Sequence, residues 1–160
     1  MILHPNLTYS KFDFAFNSLP DQIKQHRFYF SKNKRGFGEE AFHAMWYYLS
    51  ERYSLRNFLE IGVYRGQTLS LVALIQMLSK KKQKVTGISP LKNIGDSLST
   101  YVDIDYRSDI LSNFKIFNLN APKIVEAYST DPVAKETIES MPWDCIFIDG
   151  SHEYEIVKQV

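Results

Sequence analysis

Between Glu60 and Gly66 the chain reads EIGVYRG, which combines an acidic side chain with two glycines four residues apart. An apolar run that predicts a strand precedes this stretch, and a run with helical spacing follows it. A strand that turns through glycines into a helix leaves backbone N–H groups exposed at the helix start, where a polar or anionic ligand can bind. Because Glu60 would repel a pyrophosphate, the turn favours a ligand that carries a positive ammonium group.

Two further groups of polar residues follow apolar runs. Ser89 ends the run VTGIS, and its hydroxyl could hydrogen-bond a ribose, although a serine that simply ends a strand is an equal alternative. Asp149 and His152 belong to IDGSHEY, which follows a continuous apolar run. With an unperturbed pKa of about 6.5, His152 is a candidate general base. The alternatives are that Asp149 caps the next helix and that His152 is an ordinary surface or capping residue.

The two motifs EIGVYRG and IDGSHEY resemble those of the class I S-adenosylmethionine-dependent methyltransferases. The second motif is similar to that of a subgroup in which I-D-G-x-H-x-Y follows the fourth strand. The resemblance covers roughly residues 38–160. It implies S-adenosylmethionine as the cofactor and a small-molecule methyl acceptor, for which a sugar or glycan-precursor hydroxyl is a candidate.

The resemblance also assigns roles to single residues. Those it implies for cofactor binding are Glu60, Gly62, Tyr64, Gly66, Ser89, Asn118 and Asp149. Ser89 stands where the family usually has an acid at the ribose, with Asp96 as a candidate helper, and residues 118–120 would lie near the adenine. Asp149 and His152 are the catalytic candidates. Asp149 is also the candidate ligand for Mg²⁺, a cation that takes oxygen ligands.

The elements that must position these residues are helices and strands that alternate along the chain. Helices are predicted at about 39–53, 67–79, 121–129, 131–141 and from 152 onward, and strands at 57–61, 84–89, 114–119 and 143–150. The alternation predicts an α/β fold, a Rossmann-like parallel sheet of about four strands. In such sheets the ligand lies beyond the carboxyl ends of the strands, where the strand order reverses.

The chain divides into an aromatic-rich segment, 1–37, and a partial cofactor-binding domain, 38–160. The first segment shows no clear periodicity and could be a lid, an arm or packing over the sheet. The family's domain continues through about three further strands. We therefore expect a truncated domain or a fragment completed by another chain, and an exposed sheet edge through which a homo-oligomer could form.

Composition limits the other classes of function. The chain has 160 residues, 44% of them hydrophobic, and a formal net charge of +1, so it predicts one globular domain and no nucleic-acid or membrane partner. No apolar run is long enough to span a membrane, and no signal sequence is evident. The single cysteine, Cys145, lies in an apolar run and suits a reducing compartment. The expected location is the cytoplasm.

Two other functions remain open. The first is a catalytically incomplete, methyltransferase-like fragment that acts as a binding or assembly module. The second is a dinucleotide or nucleotide-sugar enzyme with a similar sheet. Glu60 argues against the second, because dinucleotide sites place their acid after the second strand, where this chain has Ser89.

Overall fold

The structure is a computed structural model that describes residues 5–32, 35–93, 102–151 and 153–158. Its sheet contains four parallel strands, β1 (Phe58–Ile61), β2 (Val85–Ile88), β3 (Lys123–Val125) and β4 (Cys145–Ile148). Their order across the sheet is β3-β2-β1-β4. This sheet confirms the predicted α/β fold.

Helices account for most of the remaining described residues. In chain order they are α1 (Pro5–Phe16), α2 (Asp21–Lys32), α3 (Glu40–Tyr53), α4 (Gln67–Leu78), α5 (Tyr106–Ile116), α6 (Pro132–Glu139) and α7 (Tyr154–Val157). Of the helices in these ranges, none is long and apolar enough to cross a membrane.

The strand order reverses beside β1. The chain passes from β1 through α4 to β2, and through α5 to β3. It then returns through α6 to the opposite side of β1 as β4. Strand β1 therefore pairs with β2 on one side and with β4 on the other, with Glu60 opposite both Gly87 and Phe147. The carboxyl ends of these strands meet where a parallel sheet binds its ligand.

The sheet is covered on both faces. On one face, Phe58 and Phe147 pack with Trp46 of α3 and the apolar side chains of α4. Residues 67–76 are all buried, because α4 lies between the sheet and the helices α2 and α3. On the other face, Leu59 and Ile61 pack with Ala134 of α6.

Strand β4 is an edge of this sheet, and it is only partly covered. The side chains of Ile146 and Ile148 are exposed, whereas Cys145 and Phe147 point into the core on the opposite face. Among the described residues, β4 therefore presents both an unpaired strand edge and an apolar surface to solvent.

The aromatic segment at the start of the chain forms α1 and α2, two helices that the sequence did not predict. Phe16, Leu19 and Ile23 belong to the same core as α4. Other aromatic side chains of these helices, such as Phe14 and Phe28, are exposed. Because aromatic residues occupy both buried and exposed positions, the helical periodicity is weak in the sequence.

The predicted strand at 114–119 is wrong, because this stretch ends helix α5 and continues past it. Tyr106, Ile110 and Phe114 are buried at a spacing of four residues, which is helical. Asp105 begins the helix as its N-cap and accepts a hydrogen bond from the Ser108 N–H at 3.0 Å.

The predicted helix at 121–129 is also wrong, since this stretch contains β3. Ile124 and Val125 are β-branched, and they pair with Gly87 and Ile88 of β2. Pro122 precedes the strand, and a proline also suits the first turn of a helix, which favours the wrong prediction. The third strand therefore ends near Val125, several residues later than predicted.

Two buried histidines connect α2, α3 and α4. His26 Nδ1 lies 3.1 Å from His43 Nε2, and His26 Nε2 lies 2.9 Å from the Ser70 hydroxyl. His43 Nδ1 lies 3.2 Å from the Glu39 carbonyl, which can only accept a hydrogen bond. With both rings neutral, His43 donates to Glu39 and His26 donates to His43. The Ser70 hydroxyl has one proton, and two acceptors lie within its reach, His26 Nε2 and the Gly66 carbonyl at 2.7 Å. Burial lowers the pKa of His43 to about 3 and that of His26 well below its ordinary value.

We expect these histidines to make the protein sensitive to acid. In the unfolded chain His43 binds a proton below about pH 6.5. In the folded chain it stays neutral down to about pH 3. The free energy of unfolding should therefore fall by about 1.4 kcal/mol per pH unit for this group. Urea unfolding measures this free energy between pH 4.5 and 6.5. Its slope against pH should be shallower for His43→Gln than for wild type. An identical slope would contradict the prediction.

Candidate functional site

A cavity of about 570 Å³ lies at the carboxyl ends of the strands, where the strand order reverses. The predicted site residues that line it are Glu60, Gly62, Tyr64, Ser89 and Asp149. Gly66 lies beside the cavity as the N-cap of α4. His152 and the candidate helper Asp96 lie outside the described residues.

The turn after β1 requires glycine for two reasons. Gly62 has φ +96°, and a Cβ on it would lie 2.4 Å from the backbone of Asp149 and Gly150. Gly66 has φ +75°, a left-handed conformation that side chains disfavour. The turn is held on both sides, because the Gly62 N–H donates to the Ile88 carbonyl and the Asp149 N–H to the Ile61 carbonyl, each at 2.8 Å.

Glu60 is a buried acid of the cavity wall. It is only 4% exposed, and its Oε2 has no hydrogen-bond partner. Burial raises the pKa of Glu60 well above its ordinary value, and the negative charge of Asp149 raises it further. A positive group in the cavity would supply the missing partner and lower this pKa.

Asp149 follows β4 and lines the cavity. The alternative that it caps the next helix is wrong, because α7 begins at Tyr154 with Glu153 as its N-cap. Within the described ranges, no group of three or more His, Cys, Asp and Glu side chains could hold a metal ion. The prediction of Mg²⁺ at Asp149 therefore gains no support from these residues.

Ser89 ends β2 and is buried in the cavity wall. Its hydroxyl donates a hydrogen bond to the Val63 carbonyl at 2.9 Å. Since a hydroxyl has one proton, Ser89 can only accept a hydrogen bond from a ligand such as a ribose hydroxyl.

Tyr64 belongs to a row of three aromatic rings that line the cavity. Its ring centroid lies 5.2 Å from that of Phe37 and 5.6 Å from that of Tyr106. These rings come from three separate parts of the chain. They give this wall of the cavity flat apolar surfaces.

Asn118 does not lie at the end of a strand as predicted. It follows helix α5 with φ +53°, and its N–H donates to the Lys115 carbonyl at 3.1 Å. It is not among the residues that line the cavity. Because β3 ends near Val125, its carboxyl end contributes residues 127–130 to the cavity instead.

The sequence did not predict the residues from the segment before α3 that form another wall. Arg35, Gly36, Phe37 and Gly38 all line the cavity. A Cβ on Gly36 would lie 1.6 Å from Gln67 Oε1, and a Cβ on Gly38 would lie 2.8 Å from Gln67 Nε2. The backbone of this segment therefore packs directly on the Gln67 amide, and a side chain at either glycine would displace that amide.

Two arginines at the cavity share one acid on α5. Asp109 accepts hydrogen bonds from Arg35 Nη1 at 2.8 Å and from Arg65 Nε and Nη2 at 2.8 and 2.9 Å. Asn113 donates to the Arg65 carbonyl at 2.9 Å. Burial raises the pKa of Asp109, but its bonds to Arg65 and the charge of both arginines outweigh this and lower it.

A second cavity, also about 570 Å³, lies beside the first, between α1 and α3. Phe12, Ala41 and Met45 give it an apolar wall. Phe37, Gly38 and Phe42 line both cavities, which therefore share one wall.

Comparisons with known proteins support the fold. No protein-family model matches the chain. Over 105 residues the chain is 29% identical to an uncharacterized protein of Acanthamoeba polyphaga mimivirus, covering 63% of this chain and 41% of that protein. It is also similar to the crystal structure of a Podospora anserina methyltransferase bound to SAH (S-adenosylhomocysteine), with a TM-score of 0.60 and 13% identity.

The similarity to the methyltransferase covers 99% of this chain and 65% of that chain. This chain therefore spans less than two thirds of the length of either protein. The similarity shows that the chain has a Rossmann-like fold of the kind found in that methyltransferase.

Replacement of Gly62 tests the turn at the centre of the site. We expect Gly62→Ala to lower the free energy of unfolding by about 2 kcal/mol or more, because the added Cβ meets backbone at a positive φ. Gly150→Ala is the matched control, since a Cβ there finds no atom nearer than 3.7 Å. Urea unfolding measures both. Equal losses in the two variants would contradict the close approach described above.

Proposed function

We propose that the chain is the cofactor-binding part of an S-adenosylmethionine-dependent methyltransferase. The observation that carries the proposal is Glu60, a buried acid with an unpartnered oxygen beside the Gly62 turn. An ammonium group would satisfy this oxygen. The likeness of the fold to an SAH-bound methyltransferase supports the proposal.

In this proposal the cofactor would lie along the carboxyl ends of the strands. Its ammonium group would pair with Glu60, and its methionine part would pass over the turn from Gly62 to Gly66. Ser89 would accept a hydrogen bond from a ribose hydroxyl, because its own proton is directed at Val63. Residues 127–130, rather than Asn118, would lie nearest the adenine. Tyr64 would contact the cofactor through its ring.

Methyl transfer would form a bond between an acceptor oxygen and the methyl carbon while the sulfur–carbon bond breaks. The cofactor supplies the activated methyl group. The protein aligns the acceptor oxygen with that bond and holds the reactants close together. Asp149 would orient the acceptor, and His152 would take the hydroxyl proton. Both follow β4, whose end faces the cavity.

The acceptor is proposed to be a small molecule, with a sugar or glycan-precursor hydroxyl as the first candidate. The second cavity adjoins the cofactor cavity through Phe37 and Phe42, so it is a candidate position for the acceptor's remaining atoms. Its apolar wall would favour an acceptor that has apolar surface beside the reacting hydroxyl.

Calorimetric titration with S-adenosylmethionine and S-adenosylhomocysteine tests the cofactor. We expect wild type to bind with a Kd in the micromolar range, which corresponds to a binding free energy of about 8 kcal/mol. Glu60→Gln should bind at least about tenfold more weakly. Glu136→Gln, an exposed glutamate of α6, should bind like wild type. A folded wild-type chain that binds neither molecule would contradict the proposal.

The same titration should show proton release. Glu60 has a raised pKa in the free protein and must ionise to pair with an ammonium group. Affinity should therefore increase as the pH rises through the pKa of Glu60. The observed enthalpy should differ between buffers of different ionisation enthalpy for wild type, and not for Glu60→Gln. Proton release that persists in Glu60→Gln would assign it to another group.

A second candidate function is an assembly module that binds the cofactor but has no activity by itself. The observation that favours it is the exposed edge strand β4, where Ile146 and Ile148 face solvent. A second copy of the chain could pair along this edge and bury these side chains.

Sedimentation measures this association. We expect wild type to form a dimer and the double variant Ile146→Lys, Ile148→Lys to remain a monomer, because lysine on an edge disfavours strand pairing. Leu111→Lys is the control, since Leu111 is a partly exposed residue of α5 outside the edge. A wild-type chain that stays monomeric over a wide concentration range would argue against the assembly module.

A further inference from the structure

Three buried polar atoms without hydrogen-bond partners belong to residues that line the first cavity. They are Arg35 Nε, Glu60 Oε2 and Gln67 Nε2. Two of them donate hydrogen bonds and one accepts. Buried polar atoms are rarely left without partners, so each of these atoms is a candidate to bind a ligand in the cavity.

The orientation of the Gln67 amide follows from its neighbour. The Gly38 N–H donates to Gln67 Oε1 at 3.3 Å, which leaves Nε2 as the unpartnered end. Gln67 is only 7% exposed and sits in the first turn of α4, directly after Gly66. It therefore presents an N–H donor beside the glycine turn.

The arginine pair adds positive charge on the same side. Arg35 and Arg65 carry two charges, and Asp109 between them carries one opposite charge, so the group retains a net charge of +1. The Arg35 guanidinium also lies 5.0 Å from the centre of the Tyr29 ring, which holds it in place. Arg65 belongs to the glycine turn itself.

The cavity thus has an acidic side, with Glu60 and Asp149, and a basic side, with Arg35 and Arg65. Both sides adjoin the turn from Gly62 to Gly66. An amino-acid group carries an ammonium and a carboxylate on one carbon atom, so its two partners must be neighbours. Glu60 accepts a backbone hydrogen bond from Leu69, two residues after Gln67, so both side chains lie at the first turn of α4. Arg35 directly precedes Gly36, which packs on Gln67.

We propose that Arg35 and Gln67 bind the α-carboxylate of the cofactor's methionine part, with Arg65 and Asp109 holding Arg35 in position. The inference rests on the proposed function, because it names the partners of one group of the proposed cofactor. It gives the segment 35–38 a role in binding.

The test compares two ligands that differ only in this carboxylate. One is S-adenosylhomocysteine, and the other is its decarboxylated analogue, 5′-(3-aminopropylthio)-5′-deoxyadenosine, which keeps the amine. Calorimetry with wild type should give at least about tenfold tighter binding of S-adenosylhomocysteine. Arg35→Gln and Gln67→Met should each weaken binding of S-adenosylhomocysteine by about tenfold and change binding of the analogue by less than about twofold. Arg107→Gln, an exposed arginine paired with Glu126, should change neither.

The outcomes separate this inference from the proposed function. If wild type binds neither ligand, the proposed function fails and the inference with it. If wild type binds both ligands equally, only the inference is overturned. If Arg35→Gln and Gln67→Met weaken both ligands equally, their role is structural, and the inference is again overturned. Thermal unfolding of each variant confirms that it is folded before titration.

Discussion

The close approach of two backbone segments at the carboxyl ends of β1 and β4 is the constraint on which the site depends. Gly62 leaves no room for a side chain against Asp149 and Gly150. Hydrogen bonds from Gly62 to Ile88 and from Asp149 to Ile61 fix this approach from both neighbouring strands. As a result, the carboxylates of Glu60 and Asp149 face the same cavity, and each makes the negative charge of the other less favourable.

The cavity contains polar groups that the folded chain leaves unsatisfied. Each buried donor or acceptor without a partner costs about 1–3 kcal/mol of folding free energy. The rest of the molecule must offset this cost, and helix α4, with residues 67–76 all buried, contributes apolar burial directly beside the cavity. In the proposed function these groups are held in place by the fold before the ligand binds, which would favour a ligand of complementary charge.

The elements around the first and fourth strands could be predicted because their signals are local. An apolar run before Glu60, a helical pattern after Gly66 and another apolar run before Asp149 each lie within a few residues of the site they form. Arg35 and Gln67 could not be found in this way. Gln67 contacts Gly36 and Gly38, about thirty residues earlier in the chain, and this contact forms only when the helices around α4 pack together. The third strand is misplaced because the short run from Phe114 fits both a strand and a buried helix face. The preceding residues distinguish the two, through the N-cap at Asp105 and the four-residue spacing from Tyr106 to Phe114.

The packing of Gly36 and Gly38 on Gln67 bears on how the chain can be divided. A boundary placed between residues 37 and 38 on composition alone separates the two glycines and removes Arg35 from the cavity wall. A shortened polypeptide that began at residue 38 would retain the sheet residues, yet Gln67 would lose its contact with Gly36 and Asp109 would lose its bond to Arg35. In the proposed function the segment 35–38 therefore belongs to the minimal binding unit, and a deletion in it would change ligand affinity while leaving the sheet residues in place.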